Sequence, residues 1–149
     1  MIASLRGLVE GRTRNAVIVD VQGVGYLAHA SARTLDSLGA VGSEVRLVVV
    51  TQVREDAITL YGFIDSEERD VFLMLTSVQG VGPRIALALL SIMAPDEVLA
   101  AILAGDRAAL ARADGVGPRL ATRIASELRD KAEAAAPAAH EAHGGRLAV

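Results

Sequence analysis

The sequence contains no cysteine and no tryptophan, and aromatic residues make up only 3% of it. The absence of cysteine excludes a disulfide scaffold, a thiolate metal site and a cysteine nucleophile, and is typical of a cytosolic setting. The scarcity of aromatic side chains leaves few platforms for stacking nucleic-acid bases. Positive charge is also limited, with 15 Lys and Arg against 18 Asp and Glu and a net charge of −3. Composition alone therefore argues against a nucleic-acid partner, which usually requires a basic surface.

Motifs for catalysis and for membrane targeting are missing as well. The sequence has no Walker-type Gly-x-x-x-x-Gly-Lys and no Ser/His/Asp set, so we expect no catalytic residue and no cofactor, and any ATP hydrolysis must come from a partner. His140 and His143 weakly resemble a metal-binding pair, but a solvated tail is the more common context for such residues, and we expect no metal. No apolar run is long enough for a signal peptide or a membrane span, which predicts a cytoplasmic protein without membrane contact.

What the sequence does contain is a change of hydrophobic period near residue 63. The chain has 149 residues, 52% of them hydrophobic, which suits one domain or two small ones. Residues 1–63 alternate with the period of strands, and residues 64–131 have the spacing of helices. Residues 132–149 are rich in Ala, Gly, Pro and His, and we expect a flexible linker there. The fold class predicted is α+β with more than one domain.

Five strands and one short helix are predicted in residues 1–63. Val17, Val19 and Val21 alternate with Ile18 and Asp20, as in a half-buried strand. Five short strands with one small helix in this length favour an OB-like Greek-key barrel. The predicted strands are Ile2–Val9, Ala16–Val21, Gly25–Ala30, Glu44–Gln52 and Ala57–Gly62, with the helix at Arg33–Leu38.

Helices are predicted throughout residues 64–131. Asp65 and Glu68 have the spacing of a capping pair at the start of the first helix. Proline at the first position of three others fits the helix N-terminus, where the missing N–H group costs nothing. These predicted helices are Pro83–Ile92, Pro95–Ala104, Arg107–Arg112 and Pro118–Lys131.

The most informative feature is an internal repeat. The twelve residues from Gly80 to Ser91 recur from Gly115 to Ser126, at an offset of 35 residues and with 7 of 12 positions identical. Both copies begin Gly-Val-Gly-Pro-Arg, between two predicted helices. The glycines allow a tight turn and a close approach by a partner, and the helix that follows presents free N–H groups and the positive end of its dipole. Each copy is therefore a candidate phosphate site.

Arginines add charge to both candidate sites. Arg84 and Arg119 lie two residues beyond the second glycine of their copies, and Arg123 follows Arg119 by one helical turn on the same face. A single Gly-x-Gly turn is common in helical hairpins and by itself weak evidence. Two copies suit a ligand with repeated phosphates, which is a nucleic-acid backbone. A dinucleotide site is disfavoured because Ile85 and Leu120 occupy the third-glycine position.

These residues resemble a known family. The paired Gly-Val-Gly-Pro-Arg units look like tandem helix–hairpin–helix motifs, and residues 53–63 are similar to the end of the N-terminal domain in the RuvA family of bacterial Holliday-junction-binding proteins. The opening residues 1–7 and the turn at Gly23–Tyr26 fit the same family. The resemblance runs collinearly from Met1 to about Lys131.

The resemblance implies a fold, a ligand and partners. The expected fold is an OB domain (1–63) followed by a tandem helix–hairpin–helix domain (64–131). A homotetramer, or an octamer on DNA, is expected to hold an open four-way junction for recombination and repair, without sequence preference. The motor ATPase would be RuvB, and the resolvase RuvC would join the larger complex. The residues expected at DNA phosphates are Gly80, Val81, Gly82, Arg84, Gly115, Val116, Gly117, Arg119 and Arg123.

The resemblance also assigns an acidic pin to Glu55 and Asp56, in the turn between the last two predicted strands. Four copies would place carboxylates where DNA strands exchange, and repulsion from phosphate would hold those strands apart. From the residues alone, a polar hairpin turn is the favoured explanation of the pair.

Two further expectations concern the end of the chain and its charge. Family members usually continue past a linker into a C-terminal domain that docks RuvB, and the resemblance does not support RuvB contact by residues up to Val149. The region 111–131 has five basic and three acidic residues, so it is positive although the whole chain is negative. This local balance reverses the inference from composition and favours nucleic acid.

The alternative that remains is a helix–hairpin–helix scaffold that contacts proteins, with glycine turns serving only helix packing.

Overall fold

A computed structural model describes the backbone of residues 1–144 and the side chains of residues 1–135. The chain forms two compact units, Met1–Arg69 and Asp70–Val149. The first unit contains all five strands, and the second contains most of the helical residues. The predicted α+β architecture, with a barrel followed by helices, is confirmed.

The first unit is a closed barrel with the strand order β1-β2-β3-β5-β4. All neighbouring strands are antiparallel except β3 and β5, which pair in parallel over only two residue pairs. A short helix, α1, lies between β3 and β4 in the chain. These elements are β1 (Ser4–Arg12), β2 (Ala16–Val21), β3 (Val24–His29), α1 (Ala32–Ser37), β4 (Glu44–Arg54) and β5 (Ala57–Phe63).

The barrel core is built by the period-two pattern of its strands. Val17 and Val19 are fully buried, and Leu47 of β4 is buried between two further buried valines of the same strand. Burial of each such side chain stabilises the barrel by about 1.5–3 kcal/mol relative to exposure. The predicted inward face of β2 and β4 is therefore confirmed.

Two hairpins of the barrel turn in different ways. The turn between β2 and β3 has positive φ at both central residues, Gln22 (52°) and Gly23 (93°), and Asp20 Oδ1 accepts a hydrogen bond from the Gly23 N–H at 2.8 Å. The turn between β4 and β5 consists of Glu55 and Asp56, neither of which has positive φ. Because negative φ suits any L-residue, the second turn carries two acidic side chains without backbone strain.

The predicted capping pair forms in part. Asp65 Oδ1 accepts a hydrogen bond from the backbone N–H of Glu68 at 2.9 Å. The Glu68 carboxylate, 3% exposed, accepts hydrogen bonds from Ser31 Oγ (3.0 Å), Thr34 Oγ1 (2.6 Å) and the Ile64 N–H (3.0 Å). A buried carboxylate is tolerated only with such donors. Glu68 therefore joins α1 to the start of the next helix, rather than capping its own helix alone.

The helical unit is built around a second core. Helix α4 packs on α6, and α5 packs on both of them. The core side chains include the fully buried Leu89, Leu90, Leu110 and Ile124. The helices are α2 (Ser66–Thr76), which begins in the first unit, α3 (Pro83–Ile92), α4 (Pro95–Ala104), α5 (Arg107–Leu110) and α6 (Pro118–Gly144).

Element ends differ from prediction by three residues or more in two places. Strand β1 continues to Arg12, because a bulge between Val9 and Gly11 lets its last residues pair with β2. Helix α6 continues to Gly144, although we expected a linker from Ala132. The alanines of this segment have the highest helix propensity and explain the extension. Residues 145–149 lie outside the described part of the chain.

Candidate nucleic-acid interface

The first glycine hairpin connects α2 to α3. Gly80 has a φ of 94°, a conformation that favours glycine, and the next residue, Val81, donates its N–H to Val78 O at 3.0 Å. Gly82 is the N-cap of α3 with φ −90° and ψ 178°, and no side chain caps the helix. The turn is therefore closed by backbone hydrogen bonds, and its tip is formed by a residue without a side chain.

The second hairpin, which leads into α6, repeats this geometry. Gly115 has a φ of 87°, and Val116 donates its N–H to Ala113 O at 3.1 Å. The first bond of the following helix runs from Ala121 N–H to Gly117 O at 2.9 Å, where the first hairpin has Ala86 N–H to Gly82 O at 3.1 Å. The sequence repeat is thus a repeat of backbone conformation and hydrogen bonding.

Each hairpin leaves backbone donors at a helix N-terminus. Because the first intrahelical bond of α3 is donated by Ala86, the amides of Arg84 and Ile85 precede the helical ladder. The amides of Arg119 and Leu120 have the same position in α6. Such donors, together with the positive end of the helix dipole, favour an anion such as phosphate.

The two hairpins pack on each other reciprocally. A Cβ atom at Gly80 would lie 3.4 Å from Leu120 Cδ1, and a Cβ atom at Gly115 would lie 3.2 Å from Ile85 Cγ1. Gly115 is the repeat equivalent of Gly80, and Leu120 is the equivalent of Ile85. The two contacts are therefore related by the repeat, and each helix start packs its apolar residue on the glycine of the other hairpin. This packing brings the two helix N-termini next to each other.

The second glycines differ from the first in their surroundings. Apart from the glycine itself and its two chain neighbours, no atom lies within 4 Å of a Cβ built on Gly82 or Gly117, and neither residue has positive φ. Neither backbone conformation nor packing within the described residues requires glycine at these two positions.

The predicted phosphate residues other than the glycines separate into two groups. Arg84, Arg119 and Arg123 are exposed, as the prediction requires. The side chains of Val81 and Val116 are each 5% exposed, and their N–H groups donate to Val78 O and Ala113 O inside the turns, so these two residues shape the hairpins. Sequence reasoning assigned them by position in the motif, which does not reveal where their amides point.

The structure brings Arg123 to a place that its sequence position did not predict. Arg123 Nη1 donates a hydrogen bond to Gln79 O at 3.1 Å, at the start of the first hairpin. Helical spacing predicts instead that Arg123 lies with Arg119 at the second hairpin. Three further residues lie at this surface and were not predicted to have a role there: Gln79, Ile85 and Leu120. For Ile85 and Leu120, the only indication in the sequence is that they occupy the third-glycine position.

The acidic pair lies in the other unit. Glu55 and Asp56 are exposed in the turn that joins β4 to β5, as predicted. Next to them, Val53 and Ile58 pair across the hairpin and are 57% and 69% exposed. The turn thus combines two carboxylates at its tip with an apolar pair behind them.

Behind this hairpin lies a partly buried tyrosine. The Tyr61 hydroxyl donates to Gln52 Oε1 at 3.3 Å, and its ring lies 5.9 Å from the His29 ring, centroid to centroid. Burial raises the pKa of Tyr61 above its usual value, and the Arg54 guanidinium opposes this rise. Tyr61 therefore stays neutral at physiological pH.

Metal ligands and long apolar helices are the remaining features of the described residues. No group of three or more His, Asp or Glu side chains that could hold a metal ion occurs among them, and the side chains of His140 and His143 lie outside this part of the chain. Among the same residues, no single helix has the length and apolar composition to cross a bilayer. Helices α3 and α4 reach these values only as a pair, bent by 98°.

The barrel and the paired hairpins define a class of protein with an OB-like unit followed by a tandem helix–hairpin–helix unit. Residues 1–62 match the family model "RuvA N terminal domain", and residues 72–130 match "SAM-like Helix-hairpin-helix tandem".

Whole-chain relatives are similar over most of the sequence. The chain is 53% identical over 137 residues to the Holliday junction branch migration complex subunit RuvA of Methylobacterium nodulans, covering 92% of this chain and 67% of the relative. The protein of the same name from Methylocella silvestris is 50% identical over 144 residues, 97% of this chain and 69% of the relative. The chain belongs to the RuvA family.

Proposed function

We propose that this chain binds four-way DNA junctions through the backbone phosphates, without catalysis, and holds them for branch migration by a partner motor. The observation that carries the proposal is the pair of open helix N-termini. A glycine precedes each of them, and neither its backbone conformation nor any contact with the described residues requires glycine there. The similar proteins are named Holliday junction branch migration complex subunits, so we propose the four-way junction as the DNA structure that this chain binds. Recognition of phosphates predicts binding that is independent of base sequence.

The alternative scaffold function is less well supported by the same glycines. If the glycine turns served only helix packing, both glycines of each hairpin would contact the other hairpin. Gly80 and Gly115 do so, but Gly82 and Gly117 face open space. Packing therefore explains the first glycine of each turn and leaves the second unexplained.

The test compares a four-way junction with a linear duplex of equal length in a gel-shift titration. We expect tighter binding to the junction. We also expect affinity to fall steeply with salt, with a log–log slope of about −0.9 for each phosphate neutralised. Equal, weak binding to both DNAs, or a flat response to salt, would contradict the proposal.

We propose that Glu55 and Asp56 act as an acidic pin at the junction centre. Their exposure and strain-free turn support this role, because two carboxylates within about 6 Å of phosphate oppose its approach even in water. The variant Glu55→Gln with Asp56→Asn keeps a polar turn of the same size. Junction affinity should be preserved or increase, while linear duplex should bind more tightly than to the parent. Loss of junction binding with intact folding would contradict the role.

We propose further that the chain acts as a homotetramer, with an octamer on DNA as a second assembly. Val53 pairs with Ile58 across the β4–β5 hairpin, and Ile58 lines a cleft together with Leu27. All three side chains are exposed, and this supports self-association, because exposed apolar surface of this kind commonly marks an interface. Light scattering at low concentration tests the mass, and a monomer at working concentrations would contradict the assembly. Contacts with RuvB and RuvC, and a cytoplasmic location, stay predictions from the family resemblance.

A further inference from the structure

The Arg123 side chain extends from α6 to the opposite hairpin. Its Nη1 donates to Gln79 O at 3.1 Å and lies 3.6 Å from the position that a Cβ atom at Gly80 would take. Both contacts are with the loop that precedes α3. The guanidinium is therefore placed at the first hairpin, although its own helix begins at the second.

This contact has no equivalent in the other direction. At the offset of 35 residues, the position matching Arg123 is Ala88, and the position matching Gln79 is Asp114. The glycine packing is reciprocal, but the arginine contact runs one way only. The first hairpin thus gains a cation from the second repeat and returns none.

Asp114 increases the difference in charge between the two hairpins. The first hairpin, residues 79–84, contains no acidic residue, whereas the exposed Asp114 directly precedes Gly115 in the second. A carboxylate beside a bound phosphate weakens the site, and an additional guanidinium strengthens it. The local charge is therefore more favourable at the first hairpin.

We infer that Arg123 serves the first hairpin, as a second phosphate-binding cation beside Arg84, and that the first hairpin is the stronger of the two phosphate sites. The inference rests on the proposed function. A guanidinium has five N–H donors in a fixed plane, so the bond to Gln79 O positions the group and leaves other donors for a phosphate. Its exposed bond to Gln79 contributes little to folding, so substitution should leave the fold intact.

A double-mutant cycle on junction affinity tests the assignment at fixed salt. The variants are Arg123→Ala, Arg84→Ala and Arg119→Ala, and the two doubles that combine Arg123→Ala with each of the others. We expect each single change to weaken binding by about tenfold, or 1.4 kcal/mol. For the double with Arg84→Ala, the fold-loss of junction affinity should be smaller than the product of the two single fold-losses, by at least about twofold. For the double with Arg119→Ala, the fold-loss should equal the product of the two single fold-losses. Coupling to Arg119 instead of Arg84 would overturn the inference.

Two further variants separate binding from mere bracing of the loop. Arg123→Ala should reduce the salt slope by about one phosphate, and Arg123→Lys should restore the slope because it restores the charge. An unchanged slope in Arg123→Ala would overturn the phosphate-binding role. Lys131→Ala is the matched control, because Lys131 lies two turns further along α6 and bonds Ser77 Oγ at 3.3 Å, ahead of the hairpin. It should show no coupling to Arg84.

The outcomes distinguish this inference from the proposed function. If the parent protein binds junction and duplex equally weakly, the proposed function fails before any variant is compared. If the parent binds the junction tightly but the coupling or the slope differs from expectation, only the assignment of Arg123 fails.

Discussion

The two glycine hairpins share a backbone and differ in charge. Both close with the same hydrogen bond, both have a first glycine at positive φ, and each packs on the start of the other's helix. The first hairpin has Gln79 and receives Arg123, whereas the second has Asp114. The comparison shows that the duplicated part is what the fold requires, while the side chains around it have diverged.

The same comparison separates the two glycines within each hairpin. The first glycine is required by φ and by close packing, so its substitution should affect folding. The second has an ordinary backbone conformation and open space, so its substitution should affect only what binds there. Stability and DNA affinity can therefore be changed independently at positions two residues apart.

The largest expected effect is on stability, from Gly115→Ala and Gly80→Ala. Each places a side chain at positive φ and should lower the free energy of unfolding by about 1–3 kcal/mol. Gly115→Ala should cost more, because its Cβ would lie 3.2 Å from Ile85 Cγ1, against 3.4 Å from Leu120 Cδ1 at Gly80. Urea denaturation measures both values. Unchanged midpoints would show that these turns relax and that the hairpins are not held by these glycines.

The next effect is on binding, from Gly82→Thr and Gly117→Thr. Threonine caps a helix about as well as glycine, so unfolding free energies should stay within about 0.5 kcal/mol of the parent. The added side chain should block the approach of a phosphate and weaken junction binding by tenfold or more, about 1.4 kcal/mol per tenfold. The loss should be greater for Gly82→Thr if the first hairpin is the stronger site. Full affinity in both variants would indicate that DNA does not contact these turns.

The smallest effect is electrostatic and comes from two separate substitutions, Asp114→Asn in the second hairpin and Gln79→Glu at the equivalent position of the first. Asp114→Asn should increase junction affinity by about threefold at low salt, as expected for removing a like charge some 6 Å from phosphate in water. Gln79→Glu should decrease affinity and should also reduce the contribution of Arg123. Both effects on junction affinity should become smaller at higher salt, because salt shortens the screening length. Fluorescence anisotropy at two salt concentrations measures them, and a response independent of salt would indicate a structural cause.

Much of the helical unit could be predicted from local signals. Helices α3 and α4 begin and end at the predicted residues, because Pro83 and Pro95 occupy the first helical position and Gly105 adopts the left-handed conformation after α4. The hairpins were recognised because a repeat of Gly-Val-Gly-Pro-Arg is visible in one dimension. Signals of this kind act within a few residues, so they can be read without the fold.

Other features depend on partners distant in the chain. The end of β1 is set by pairing with β2 after a bulge. The acceptor role of Glu68 depends on Ser31 and Thr34, more than thirty residues earlier. Helical spacing placed Arg123 beside Arg119, but a long flexible side chain bonds whichever group the tertiary packing brings within its reach.

The sequence by itself determined the barrel-to-helix order, the two glycine hairpins and the acidic turn, because hydrophobic period, proline and glycine act locally. Only the tertiary structure decided that the first glycines pack and the second glycines stay open, that the Val81 and Val116 amides are used inside the turns, and that Arg123 lies at the first hairpin. The physical reason is that free donors and neighbouring charges depend on which segments meet in space. Net charge, averaged over the chain, contains no information about that meeting.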